Sequence, residues 1–169
     1  MRLVASALSV AFVTLTVVSA GIASAETGMP GSYIGVGAAA GLTNGGRGND
    51  DAKFGGTVQG RFAIPQAPVS VRGAVLFGGD ATVIAPTLTY DLAIAENTNI
   101  YVGAGYSFVT TEGKATQLGN RNAALLTLGA ESAISKNFVL FGDLKWAIDA
   151  YRRSSNDALS LQAGVGYRF

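Results

Sequence analysis

Arg61, Arg72, Asp91, Glu131, Asp143, Lys145 and Arg168 are the residues best placed to do chemistry in this chain. Each falls inside an alternating segment, on the side that otherwise carries Gly, Ser, Thr and Gln. Two carboxylates can serve as general acid and base, but here the acidic residues have basic neighbours. Arg72 and Asp91 lie on adjacent segments, and Asp143 is two residues from Lys145. Buried singly, such charges would be strongly destabilising, so pairing is the chemistry expected of them. Arg61, Arg72, Asp91 and Glu131 share a level about four residues from one end of their segments, with Asp143 and Lys145 further along and Arg168 near the exit. The chain has no histidine and no cysteine. Without them a Ser-His or Cys-His nucleophile cannot be assembled, and zinc loses its usual ligands. Gly-x-Gly occurs at Gly35/Gly37, Gly103/Gly105 and Gly164/Gly166. A dinucleotide site would need a third glycine and a following helix, and these glycines lie within alternating segments instead. The expectation is a protein that is not an enzyme and has no cofactor and no metal.

The elements that carry these residues are strands. Eight segments alternate, over 32–43, 53–64, 68–78, 81–94, 98–111, 122–134, 137–151 and 158–169. Period two is the signature of a strand with one apolar and one polar face. In 98–111, Ile100, Val102, Ala104, Tyr106 and Phe108 oppose Asn99, Gly103, Gly105 and Ser107. In 158–169, Leu159, Leu161, Ala163, Val165, Tyr167 and Phe169 oppose Ser160, Gln162, Gly164, Gly166 and Arg168. Segment 137–151 is less regular, with Phe141 on the polar side. Pro86 sits mid-segment, where a missing N–H predicts a bulge or local kink. Connections alternate too. Thr43 to Ala52, Glu112 to Arg121 and Arg152 to Asp157 are long and polar, with the short Gly79-Asp80 at the same end. Pro65-Gln66-Ala67, Ala95-Glu96-Asn97 and Ser135-Lys136 are tight turns at the other. Long loops at one end and short turns at the other are how transmembrane barrels are built.

A soluble eight-stranded carrier would alternate as well, with its apolar side inward and charges outside. Here the polar side is too poor in charge for a water-facing surface and suits the narrow lumen of an eight-stranded barrel. The apolar side, with Phe62, Tyr90, Phe138, Tyr167 and Phe169 toward the turns and Phe54, Phe77, Phe108 and Trp146 toward the loops, suits lipid and its aromatic girdles. The fold expected is all-β: an eight-stranded antiparallel up-and-down transmembrane β-barrel behind an N-terminal signal peptide.

The address is written at the N-terminus. Arg2 precedes an apolar stretch from Leu3 to Ile22, followed by Ala23-Ser24-Ala25, a small-x-small cleavage site. Residues 1–25 read as a signal peptide and 26–169 as one outer-membrane barrel domain. With Arg2 set aside, the remaining 11 basic residues balance 11 acidic ones. Neutrality argues against nucleic acid as a partner. The loop residues Arg47, Asp50, Asp51, Lys114, Arg121, Arg152 and Arg153 read as solvated tips, through which a surface ligand could be bound.

The stretch LTYDLAIAENTNIYVGAGYSF from Leu88 resembles the central hairpin of small outer-membrane barrels of the OmpA-like, OmpX-like and opacity-type porin-family kind, through Tyr90-Asp91 and Tyr101 to Gly105. The ending GVGYRF resembles their last strand, and the resemblance implies that Tyr167 and Phe169 carry the signal read by the outer-membrane assembly machinery. It also implies residence among outer-membrane lipid in a Gram-negative-type envelope. The functional expectation is a non-enzymatic barrel with a plugged, ion-paired lumen, serving envelope structure and surface interaction. A narrow porin-like channel for ions or very small solutes is the alternative.

Overall fold

The computed structural model describes residues 28–45 and 52–169 of the protein. The segment 1–25 and the loop residues Arg47, Asp50 and Asp51 lie outside the described residues. Eight strands follow one another: β1 (Tyr33–Gly41), β2 (Phe54–Ala63), β3 (Val69–Phe77), β4 (Val83–Ala95), β5 (Thr98–Val109), β6 (Ala123–Ala133), β7 (Phe138–Ile148) and β8 (Ala158–Arg168). Each pairs antiparallel with its neighbours in chain order, and β1 pairs with β8 to close the barrel. The closing seam runs unbroken from Tyr33↔Arg168 to Gly41↔Ser160. The bounds fall within about three residues of the alternating segments. β7 differs most, ending at Ile148.

Turn chemistry explains the tight end. Asn97 takes a left-handed conformation (φ 63°) in the β4–β5 turn, which asparagine adopts more readily than most residues. The Ser135 hydroxyl accepts from the backbone N–H of Phe138 at 3.1 Å, bracing the β6–β7 turn. The connections at the opposite end are L1 (β1–β2), the short L2 (β3–β4), L3 (β5–β6) and L4 (β7–β8).

The two faces separate by parity, as alternation requires. Val36, Phe62, Val71, Leu88, Leu128, Leu161 and Val165 are exposed on the outside, while Thr57, Gln59, Arg72, Thr89, Glu131 and Gln162 are buried inside. Most of the aromatic residues expected in the two girdles are outward and exposed; Phe138 and Tyr167, directly paired across β7 and β8, meet edge to face at 6.1 Å. Trp146 is half-buried, its indole N–H donating to Asp157 Oδ2 at 2.9 Å.

Pro86 does not produce the bulge expected of it. It stays opposite Gly73 on β3, and β4 pairs with β5 in one register on either side of it, Ile84 with Phe108 and Thr87 with Gly105. Proline removes a ladder hydrogen bond but inserts no residue, so the register survives. The shift in this hairpin lies at Ala93/Ala95, beside the turn.

Lumen glycines make room for lumen aromatics. A Cβ on Gly35 would lie 2.7 Å from the Phe141 ring and 2.8 Å from the Val165 carbonyl oxygen, and a Cβ on Gly166 would lie 2.7 Å from the Tyr33 ring. Phe141 and Tyr33 stack on each other at 5.8 Å over this floor. Phe141 is therefore on the polar side because it packs against glycine, not because its strand is irregular. Gly73, on the lipid face, has nothing within 4 Å of a built Cβ. Gly35→Val is expected to lower stability by about 1–3 kcal/mol through overpacking, and Gly73→Val to change it by less than about 0.5 kcal/mol. Urea unfolding in detergent micelles, followed by Trp146 fluorescence, checks both.

The ionic interior as candidate functional site

Four of the charged residues close a ring inside the barrel near the turn end. Arg61 and Arg72 are directly opposite each other on β2 and β3, a repulsive placement unless anions intervene. Asp91 from β4 and Glu131 from β6 supply them. Arg61 Nη2 lies 2.8 Å from Asp91 Oδ2, and its Nη1 is 3.3 Å from Glu131 Oε1. Arg72 Nη2 donates to Asp91 Oδ1 at 3.0 Å, and Arg72 makes a two-pronged contact with Glu131 at 2.8 and 3.0 Å. Each arginine thus holds both carboxylates, and each carboxylate holds both arginines. All four side chains are buried.

Further polar groups complete the ring. Ser70 donates to Asp91 and receives the Arg61 Nε–H at 3.0 Å. Thr89 accepts from Arg72 Nε at 3.0 Å, and Asn99 Nδ2 donates to Glu131 Oε1 at 3.2 Å. From below, the chain entering β1 lies across the barrel: Arg61 Nη1 donates to the carbonyls of Met29 at 3.2 Å and Gly31 at 3.0 Å. Met29 itself is buried with Tyr33, Val139 and Phe141.

A shorter chain of contacts runs up from Arg72. Its guanidinium carbon lies 3.6 Å from the centre of the Tyr101 ring, a cation–π arrangement. The Tyr101 hydroxyl donates to Asp143 Oδ2 at 2.9 Å, and Lys145 Nζ donates to Asp143 Oδ1 at 2.8 Å. Three buried cations, Arg61, Arg72 and Lys145, are balanced by Asp91, Glu131 and Asp143.

Arg168 does not join this network. It has lumen parity but is the last residue of β8, and its long side chain lies at the rim. There its guanidinium donates to the Lys136 carbonyl at 3.0 and 2.7 Å and to the Pro30 carbonyl at 3.4 Å. L3 also departs from the expectation of a solvated tip. Residues 115–120 are buried, and Leu118 packs into the apolar cluster with Leu76, Val83, Val109 and Leu125 at the loop end of the lumen. Gln117 Nε2 reaches across the mouth to the Phe77 carbonyl at 2.9 Å, and the Asn120 N–H donates to the Ala150 carbonyl at 2.9 Å. Lys114, Arg121, Arg152 and Arg153 remain exposed.

Sequence reasoning missed Met29, Tyr33, Ser70, Asn99 and Tyr101 as members of the site. Tyr101 did leave a signal: it shares parity with Asn99 and Gly103, so an aromatic there must point inward. Chemically the arrangement offers no unengaged base, since all three carboxylates are held by cations. Among the described residues no group of His, Cys, Asp or Glu is placed to hold a metal ion.

Residues 10–169 match the family described as the outer membrane protein beta-barrel domain. The protein belongs to that family, and it is an integral protein of the bacterial outer membrane. The match begins inside the stretch read as an export signal. Solved structures share the fold. The attachment invasion locus protein Ail of Yersinia pestis is 18% identical, with a TM-score of 0.55 over 83% of this chain and 100% of Ail. Neisserial surface protein A is 17% identical, with a TM-score of 0.58 over 83% of this chain and 98% of that one. Ail in complex with the heparin analogue sucrose octasulfate aligns at 20% identity and a TM-score of 0.54, over 83% of this chain and all of that one. No curated protein sequence matches significantly.

Removing one member of a buried ionic ring leaves its partners charged and unpaired. Glu131→Leu is expected to cost about 3–5 kcal/mol. Adding Arg72→Leu to it should cost less than the sum of the two single changes. Urea midpoints for the two single variants and the double, in one detergent, test this coupling.

Proposed function

We propose that this protein is a closed, non-enzymatic barrel whose ionic interior blocks permeation, and that it serves envelope structure and contacts at the cell surface. The observation that carries the reading is Arg72 in the middle of the lumen, held by Asp91 from β4, Glu131 from β6 and the Tyr101 ring from β5. The Met29 segment lies across the barrel on one side of it and L3 across the mouth on the other. Full engagement of every lumen carboxylate supports the absence of catalysis. In this reading residues 1–25 are an export signal removed after Ala25, leaving 26–169 as the barrel domain. Tyr167, outward on β8, and Phe169, exposed just past it, are then the residues presented to the outer-membrane assembly machinery.

Surface contact falls to L3 and L4, whose exposed Lys114, Arg121, Arg152 and Arg153 stand among Glu112, Asp149 and Asp157. The complex of Ail with a heparin analogue supports polyanion contact as the type of interaction to look for. Because Arg121 and Arg152 already pair with Asp149 and Glu112, such contact is expected to be weak and lost within physiological salt.

Planar-bilayer recording tests the closed lumen. Purified protein is expected to show no steady conductance. Stepwise conductance that changes on Arg72→Ala or Asp91→Ala would instead establish a narrow ion channel.

A further inference from the structure

Arg61, Arg72, Arg121 and Arg152 each pair with a carboxylate. Arg168 pairs with none among the described residues, yet its side chain is held in place. Three of the five N–H groups of its guanidinium go to neutral carbonyls, Nε and Nη2 to Lys136 and Nη1 to Pro30. One N–H is left over on each terminal nitrogen, and the positive charge is left uncompensated. The Arg168 carbonyl accepts from Asn137 Nδ2 at 3.3 Å, which ties the β6–β7 turn to the end of β8. Lys136, on that turn, is exposed, and its ammonium makes no hydrogen bond or ion pair among the described residues. Even with a carboxylate on Phe169, these two cations leave one net positive charge. Glu96 belongs to the β4–β5 turn and does not line the same space.

The two cations share a cleft. Pro30, Gly31, Lys136, Asn137, Arg168 and Phe169 line a volume of about 240 Å³ at the turn end. Gly31, with φ 88°, lays the chain entering β1 against the arginine stem; a Cβ there would lie 3.5 Å from Arg168 Cγ and Cδ. Beside the cleft, the outer surface of β7 and β8 carries matched apolar rows, from Phe138–Tyr167 through Leu140–Val165 to Leu144–Leu161. Six residues of strand advance roughly 20 Å. Tilted by about 40°, they cover roughly 15 Å of depth, one leaflet of a hydrocarbon core about 30 Å thick.

We propose that this cleft binds the phosphodiester headgroup of a phospholipid in the periplasmic leaflet, with the acyl chains lying along the rows of β7 and β8. The turns of an outer-membrane barrel face the periplasm, which sets the cleft at headgroup depth. A guanidinium already fixed by carbonyls, with a free N–H on each terminal nitrogen, suits two phosphate oxygens, and Lys136 adds a point charge. The single negative charge of a phosphodiester answers the net charge of the pair. Phe138, Tyr167 and Phe169 are exposed around the cleft, where aromatic rings meet the interface. The site is separate from the lumen and stands whether or not the barrel conducts.

The test uses the full-length protein in dodecyl maltoside micelles, which carry no phosphate, with dioleoyl phosphatidylglycerol added stepwise. Backbone amide shifts at Gly31, Asn137, Phe138 and Arg168 are expected to move and saturate. Lys136→Gln should weaken the apparent affinity about fivefold, the upper range for an exposed ion pair, and Arg168→Gln should weaken it further. Lys53→Gln, at the loop end, should leave it unchanged. Dioleoylglycerol, with the same chains and no phosphate, should give no saturable shifts. Shifts that fail to saturate in the wild-type protein would overturn the site, as would equal affinity in Lys136→Gln or for dioleoylglycerol. Inorganic phosphate alone, reproducing the same shifts at the same concentration, would overturn the lipid assignment in favour of a soluble anion. Should Arg168→Gln disturb the rim, Lys136→Gln decides, because its exposed side chain supports no other contact.

Discussion

Hydrocarbon offers a backbone N–H or C=O no partner, and every other feature of this protein follows from that. A spanning sheet must close on itself, because an open edge would leave a row of unpaired groups in lipid. The β1–β8 seam, continuous from Tyr33↔Arg168 to Gly41↔Ser160, is that closure. Closing only eight strands makes the lumen narrow. Period-two alternation then forces every second side chain into it, whatever its size or charge.

The interior is the solution to that crowding. Glycines at Gly35, Gly129, Gly164 and Gly166 form hollows into which Phe141, Tyr101 and Tyr33 lie. The charges that remain are arranged so that none is unpaired, with arginines and carboxylates alternating around a ring drawn from β2, β3, β4 and β6. The ring occupies one level; the Asp143–Lys145 pair stands above it among uncharged polar residues, and an apolar layer lies above that. Membership of the outer membrane protein beta-barrel domain family agrees with this inside-out polarity. The likeness to Ail and Neisserial surface protein A, at 17–20% identity, is a likeness of fold.

The strand map was legible because alternation and turn chemistry are local. Eight segments and the parity of their connections could be read directly, and so could the level shared by Arg61, Arg72, Asp91 and Glu131. What the sequence hid was whatever depends on three-dimensional reach. Arg168 has the parity of a lumen residue, yet its side chain bends to the rim, where the Lys136 and Pro30 carbonyls accept from it. Residues 115–120 look like a polar loop, since the burial of Leu118 depends on an apolar cup assembled from β1, β3 to β8 and L4. Met29 entered the site through its backbone, at a chain entry point that no side-chain pattern encodes, and Asn99, whose lumen parity was legible, through the reach of its amide to Met29 and Glu131. Pro86 warned of a bulge, and the ladder absorbed it by forgoing one hydrogen bond.

The central claim is that lipid, not water, contacts the side of the sheet bearing Leu161 and Val165. Single nitroxide labels at successive positions of β8, in a bilayer, measure it through their collisions with oxygen and with a water-soluble nickel complex. The account predicts that oxygen accessibility peaks at 161, 163 and 165, while labels at 160 and 162 are shielded from oxygen, with period two throughout. High nickel accessibility at 161 and 165, with 162 in an oxygen-rich setting, would contradict it.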